Sequence, residues 1–211
     1  MRHTICIGGA AAGVKTFFAR SPDWALLICR EKPKTEVLER CVFKHRATDV
    51  YMVADAYRGD EIRQAILDFF DAASGASPES VTVSVASAAV SLSVRGGAQL
   101  VAYVGHDGLM DFQLSIVPRK RNEIHHDVII LACASKQFFS QPLRASGAYP
   151  LLWTTGLMAP EAYTLKSALD GWIDHESNDQ VRSAPQLSTI NTRNAGFAGL
   201  ADCSQLGGRE S

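Results

Sequence analysis

Apolar positions along the chain fall into short blocks separated by polar stretches, and the spacing within each block predicts its conformation. Trp24 to Cys29 is an apolar run of strand length, and Asp49 to Ala54 is a second. Runs of this kind, bounded by polar residues, read as buried strands. Between them Arg30 to Arg40 is polar and interrupted by Pro33, which predicts a loop. In Asp60 to Ala73 the residues Ile62, Ala65, Ile66, Phe69, Phe70 and Ala73 recur at helical spacing and form one face. Gly59-Asp60 supplies a start and Gly75 a stop. Ser80 to Val94 alternates valine and leucine with serine and threonine in two pieces, the pattern of half-exposed strands in a hairpin.

Two further runs are alike. Ala98 to Val104 ends in Gly105-His106-Asp107-Gly108, and Asp127 to Ala132 ends in Cys133-Ala134-Ser135. Each stops abruptly at a reactive side chain. In open α/β sheets ligands bind beyond the carboxyl ends of such strands. If the two strands are neighbours, a thiol and an imidazole emerge side by side, the minimum equipment for thiol nucleophilic catalysis. A last strand, Tyr149 to Thr154, leads through Gly156 to a helix. Pro160 fits its first turn, and Leu165, Ala168, Leu169, Trp172 and Ile173 form its apolar stripe. Met110 to Glu123, between the two reactive strand ends, reads ambiguously and offers thin helical cover. Strands alternating with amphipathic helices predict an α/β fold: a three-layer sandwich with a mostly parallel central sheet flanked by helices.

The 211 residues suffice for one domain. The divisions expected are a flexible or leader-like N-terminus over 1–22, the α/β domain over 23–176, and a polar tail of low order over 177–211. The net charge of −1 carries no basic excess for nucleic acid, and no run is long enough to span a membrane. Ile5 to Val14 has the length of a secretory h-region but is mostly glycine and alanine. Export is therefore the lesser expectation beside a cytoplasmic setting, and a short strand is the plainer alternative. Five cysteines, an odd number with no CxxC pair, predict reduced thiols and neither a disulfide framework nor a zinc ribbon. Gly8 to Gly13 narrowly misses a dinucleotide fingerprint, because Ala10 stands where the second glycine belongs. His125-His126-Asp127 lacks a second cluster at metal spacing, so no metal and no cofactor are expected.

The order of a hydrophobic strand ending in His106 and a later one ending in Ala132-Cys133 resembles the caspase-like cysteine peptidases, the clan of caspases, metacaspases, legumains and gingipains. The likeness spans roughly Trp24 to Trp172. Trp24 to Cys29 is similar to their first strand, and Tyr149 to Tyr163 to the strand that follows the nucleophile. The resemblance implies the caspase/hemoglobinase-like fold and a peptide or protein substrate. It implies Cys133 as nucleophile and His106 as general acid/base, with an oxyanion hole of backbone N–H groups: that of Cys133 and one from Asp107 or Gly108. Leu131, Ser135, Thr154 and Thr155 would lie at the substrate pocket; Asp111 and Phe112 could line the site or belong to an anchored loop. Two departures stand out. Asp107 separates His106 from Gly108, and Leu131 occupies a position that is polar in caspases and legumains. Specificity for aspartate at P1 is therefore not implied. The alternatives are an inactive domain of the same fold that binds a peptide or protein, and an unrelated flavodoxin-like domain holding a small ligand. Oligomeric state is not legible.

Overall fold

The computed structural model describes residues 3–9, 11–159 and 161–174; the polar tail assigned to 177–211 lies outside them. Nine strands and four helices follow one another as β1 (His3–Gly9), α1 (Ala11–Arg20), β2 (Trp24–Lys34), β3 (Val37–His45), β4 (Val50–Tyr57), α2 (Ile62–Ala73), β5 (Pro78–Val85), β6 (Ala88–Arg95), β7 (Leu100–Val104), β8 (Asp127–Leu131), α3 (Ser135–Ser146), β9 (Tyr149–Trp153) and α4 (Ala162–Ile173). Seven strands form one sheet in the order β2-β3-β4-β1-β7-β8-β9, and β5-β6 pair separately. From β4 to β9 every neighbouring pair is parallel, whereas β2, β3 and β4 pair antiparallel.

Helices cover both faces. Val14 and Phe18 of α1 and Leu165, Ala168 and Leu169 of α4 pack on Leu100, Ala102, Val104, Ile129 and Leu131. Ala65, Ile66, Phe69 and Phe70 of α2 and Phe139 and Leu143 of α3 pack on Val101, Tyr103, Val128 and Ile130 from the other side. Alternate residues of β7 and β8 thus enter opposite cores, as the pleat requires. That explains why β7, and β8 after its opening Asp127, are apolar throughout. The alternating hairpin forms as its pattern predicts: Val81, Val83, Val90, Leu92 and Val94 lie on Val42, Tyr51 and Val53, and Ser80 and Ser91 face outward. Ala86 and Ser87 both take positive φ at its turn, as a two-residue hairpin connection of the I′ kind needs.

Three expectations are corrected. Residues 3–9, expected as flexible or leader-like with a short strand as the alternative, form an inner strand, hydrogen-bonded to β4 on one side and β7 on the other. Trp24 to Cys29 is not a buried strand: it opens an 11-residue antiparallel edge strand on which Leu26 and Ile28 are exposed, and edge position lets its polar half and Pro33 stay in the sheet. The stretch Arg30 to Arg40 therefore holds most of a hairpin, with a register shift at Glu31 to Lys34. Finally, Cys29 and Cys41 stand directly opposite across β2 and β3 and are joined as a disulfide, which overturns the reading of reduced thiols throughout. Cross-strand pairing brings them together, and nothing in their spacing along the chain announces it.

The ends of β4 and β6 are tied by buried ions. Arg40 grips Asp55 with Nε and Nη2, each at 2.6 Å, and reaches Glu79 on β5 with Nη1. Arg95 pairs with Asp68 at 2.6 Å, which also accepts from Tyr57 Oη. Removing one partner from such a set strands a buried charge; the network fixes the hairpin layer to the sheet.

Candidate active site

β7 and β8 pair from Leu100↔Asp127 to Val104↔Leu131, and Gly105 N–H donates to Leu131 O at 3.1 Å, extending the ladder by one step. His106 and Cys133 are each two residues beyond the last pair. Leu100, Ala102 and Val104, like Ile129 and Leu131, face α1 and α4. The strands run about 4.8 Å apart up to that last pair; beyond it the His106 ring meets Asp111, whose neighbour Phe112 packs on the α2–α3 side, and Cys133 meets Met158 on the α1–α4 side. The thiol is half-buried and donates to Met158 O at 3.4 Å, in the loop after β9 that also packs on the α1–α4 core. Among the described residues it does not bond the imidazole directly.

The turn after His106 is built from within. Tyr103, buried on the α2–α3 side, donates its hydroxyl to His106 O at 2.7 Å; burial, aided by the Asp107 charge, pushes its phenol above the ordinary range. Asp107 is fully buried. Its Oδ1 accepts from Leu109 N–H at 3.0 Å and caps the short 3₁₀ turn Gly108–Met110. Its Oδ2 has no partner among the described residues. Desolvation pushes the carboxyl pKa up to about 6 against the pull of the Leu109 hydrogen bond and of His106. Gly108 is needed for proximity: a Cβ there would lie 2.8 Å from Phe112 Cε1 and 3.0 Å from Ile66 Cδ1. The imidazole itself is 58% exposed, and its Nε2 meets Asp111 Oδ2 at 2.8 Å.

Gly108 N–H donates to His106 O at 3.1 Å. Among the described residues the amides of Asp107 and Cys133 donate to no protein acceptor. Of the three amides expected at the oxyanion hole, that of Gly108 is therefore spent, while those of Asp107 and Cys133 are not. Asp107 has φ −78°, so this position makes no demand for glycine.

The turn after Cys133 has its own support. Ala134 sits at φ 48°, ψ 30°, a left-handed conformation that costs a non-glycine residue about 1 kcal/mol or more. It is held by its N–H to Gly156 O at 2.8 Å. Beneath it Ser135 Oγ donates to Ile130 O at 3.1 Å and accepts from Thr154 N–H at 2.9 Å. Thr154 Oγ1 donates to Ala132 O and accepts from Ser135 N–H.

Three pocket assignments are thereby corrected. Ser135 and Thr154 are fully buried and spend their hydroxyls on each other and on the backbone, and Leu131 is fully buried in the α1–α4 core. None presents a side chain to a ligand. Thr155 is exposed at the mouth of the following loop. His126 is buried with both ring nitrogens engaged, by Ala98 O and Asn122 Oδ1, and desolvation lowers its pKa. It is a structural histidine.

Sequence reasoning missed Tyr103, whose strand pattern marks it only as core, and treated Asp111 as one loop residue among several. Only the i, i+5 spacing of His106 and Asp111 carries any signal, and without the 3₁₀ turn that spacing means little. The cluster Cys29, Glu39 and Cys41 brings potential metal-ligand atoms within 4.8 Å of one another, but two of them are consumed in the disulfide. Comparison with family models, with curated proteins and with solved structures gives no match. Among the described residues no helix is long and apolar enough to cross a membrane.

Proposed function

We propose that this protein is a cysteine peptidase of the caspase-like kind, acting on a peptide or protein through Cys133 and His106 without a cofactor. The observation that carries the reading is the in-register parallel pairing of β7 with β8, which brings His106 and Cys133 to neighbouring strand ends, each two residues beyond a matched pair. The mostly parallel sheet covered by helices on both sides is the architecture the resemblance implies. Its parallel part, numbered by itself, has the order 2-1-3-4-5, which flavodoxin-like domains share. The reading therefore rests on the side chains at the strand ends rather than on strand order.

The Cys133 thiol gives its proton to the His106 imidazole, and the resulting thiolate adds to the scissile carbonyl carbon, forming the C–S bond as the carbonyl electron pair moves onto oxygen. The oxyanion lies between the N–H groups of Asp107 and Cys133. Its collapse breaks the C–N bond, and the departing nitrogen takes a proton from the His106 imidazole. Water then attacks the thioester, with His106 as base, releasing the acid and restoring the thiol. Leu131 is apolar and buried, so it supplies no polar contact to an acidic P1 side chain.

The test is alkylation by iodoacetamide at neutral pH, followed residue by residue by mass spectrometry. Cys133 is expected to react at least tenfold faster than free cysteine, and His106→Ala to remove that advantage. A peptide library should be cut by the native chain and spared by Cys133→Ala. A Cys133 that reacts at the free-cysteine rate in both proteins would refute the assignment and leave a non-catalytic binding domain.

A further inference from the structure

We infer that Asp111 is a positioning residue that holds the His106 ring through Nε2 and leaves Nδ1 as the nitrogen that serves the thiol and the leaving group. The inference rests on the peptidase reading above and adds a third member to it. A carboxylate only accepts hydrogen bonds, so the Nε2 that stands 2.8 Å from Asp111 Oδ2 carries the proton. Among the described residues Nδ1 has no protein partner, which leaves it available to a substrate.

Asp111 is not a loose loop acid. Its N–H donates to Gly108 O at 3.0 Å, and so does that of Phe112. Phe112 packs against the α2–α3 core with the Arg63 guanidinium 4.1 Å from its ring centre. The backbone on which Asp111 stands is therefore tied to the body of the domain, while its carboxylate reaches out to the imidazole. Asp107, though adjacent to His106 in sequence, has its carboxylate turned inward onto Leu109 N–H and is not the ring's partner.

Burial decides what the pair is for. The two side chains are 58% and 67% exposed, and ion pairs in that setting add little to stability. What such a contact does fix is which imidazole nitrogen is protonated and how the ring is turned.

The experiment uses the full chain as wild type, Asp111→Ala, Asp111→Asn and His106→Ala. It reads Cys133 alkylation by iodoacetamide alongside the ¹⁵N resonances of the His106 ring under conditions where the ring is neutral. Loss of an exposed pair of this type predicts that the ratio of Nε2–H to Nδ1–H tautomers falls about threefold in Asp111→Ala. The alkylation rate should fall with it toward that of His106→Ala. Asp111→Asn keeps an oxygen acceptor and should retain most of both, and no variant should lose its fold. An Asp111→Ala protein with unchanged tautomer ratio and rate, beside a slow His106→Ala, overturns the role of Asp111 alone. A His106→Ala protein as fast as wild type overturns the peptidase reading instead.

Discussion

The buried carboxyl of Asp107 gives the most quantitative expectation. Replacing it by asparagine keeps an oxygen acceptor for Leu109 N–H and removes the ionisable group. Asp107 is fully buried with Oδ2 unpartnered among the described residues, and burial raises its pKa from 3.8 to about 6. A carboxyl whose folded pKa lies above its unfolded value binds its proton more tightly when folded. Its contribution to stability is therefore fully present below about pH 3.8 and is lost as pH rises through 6. At 1.36 kcal/mol per decade of proton affinity, the difference amounts to about 3 kcal/mol. The assay is urea unfolding of both proteins at half-unit steps from pH 4 to 8. Every other titrating group is common to the two, so the difference between their stabilities isolates this one. That difference should move in favour of Asp107→Asn by about 2.4 kcal/mol between pH 4 and 7 and level off above. A difference that stays flat across the range, or moves the other way, would mean that Oδ2 is solvated or paired and that the site's turn is not built around a desolvated carboxyl.

Two further expectations concern the frame. The Cys29–Cys41 bridge closes a loop of sequence separation 12, for which chain entropy predicts about 3 kcal/mol of stabilisation. The double serine variant should lose roughly that much in urea unfolding, and an unchanged midpoint would show that the cross-link constrains nothing. Thr154→Val deprives Ser135 N–H and Ala132 O of their buried partner and should cost about 1–3 kcal/mol; a cost near zero would mean that water or a rearranged Ser135 takes over.

How much of this was legible depended on whether a segment's neighbours in space were also its neighbours in pattern. β7 and β8 announce themselves because both faces of a central parallel strand are buried, so every residue but the opening Asp127 is apolar. The α2 stripe and the β5–β6 alternation are equally plain, since each element buries one side only. β3 is hidden because Glu39 and Arg40 interrupt its apolar run; Arg40 is buried nonetheless, satisfied by Asp55 and Glu79 from other strands. β1 is hidden because it ends in two glycines and leads into an alanine-rich run, and only its two hydrogen-bonded neighbours make it a strand. Reading Ser135 and Thr154 as pocket residues failed for a related reason. A polar residue beside a reactive strand end is as readily a backbone clamp as a ligand contact, and only burial separates the two.

That failure shows how the site is held. The two reactive side chains stand at neighbouring strand ends, yet the backbone that carries them is secured elsewhere. On the imidazole side, Tyr103 Oη binds His106 O and Asp107 caps the following turn. On the thiol side, Ser135 and Thr154 bind the carbonyls of Ile130 and Ala132, and Gly156 O takes the N–H of Ala134. Each clamp satisfies a buried polar group of the strand end that it holds, so neither draws on the groups a substrate would need. The amides of Asp107 and Cys133 are left unspent, as are the thiol's nucleophilic sulfur and the Nδ1 of His106. A polar frame that holds both strand ends while sparing those four atoms, with only the buried Asp107 Oδ2 left unpaired among the described residues, is what the proposed acyl transfer would require.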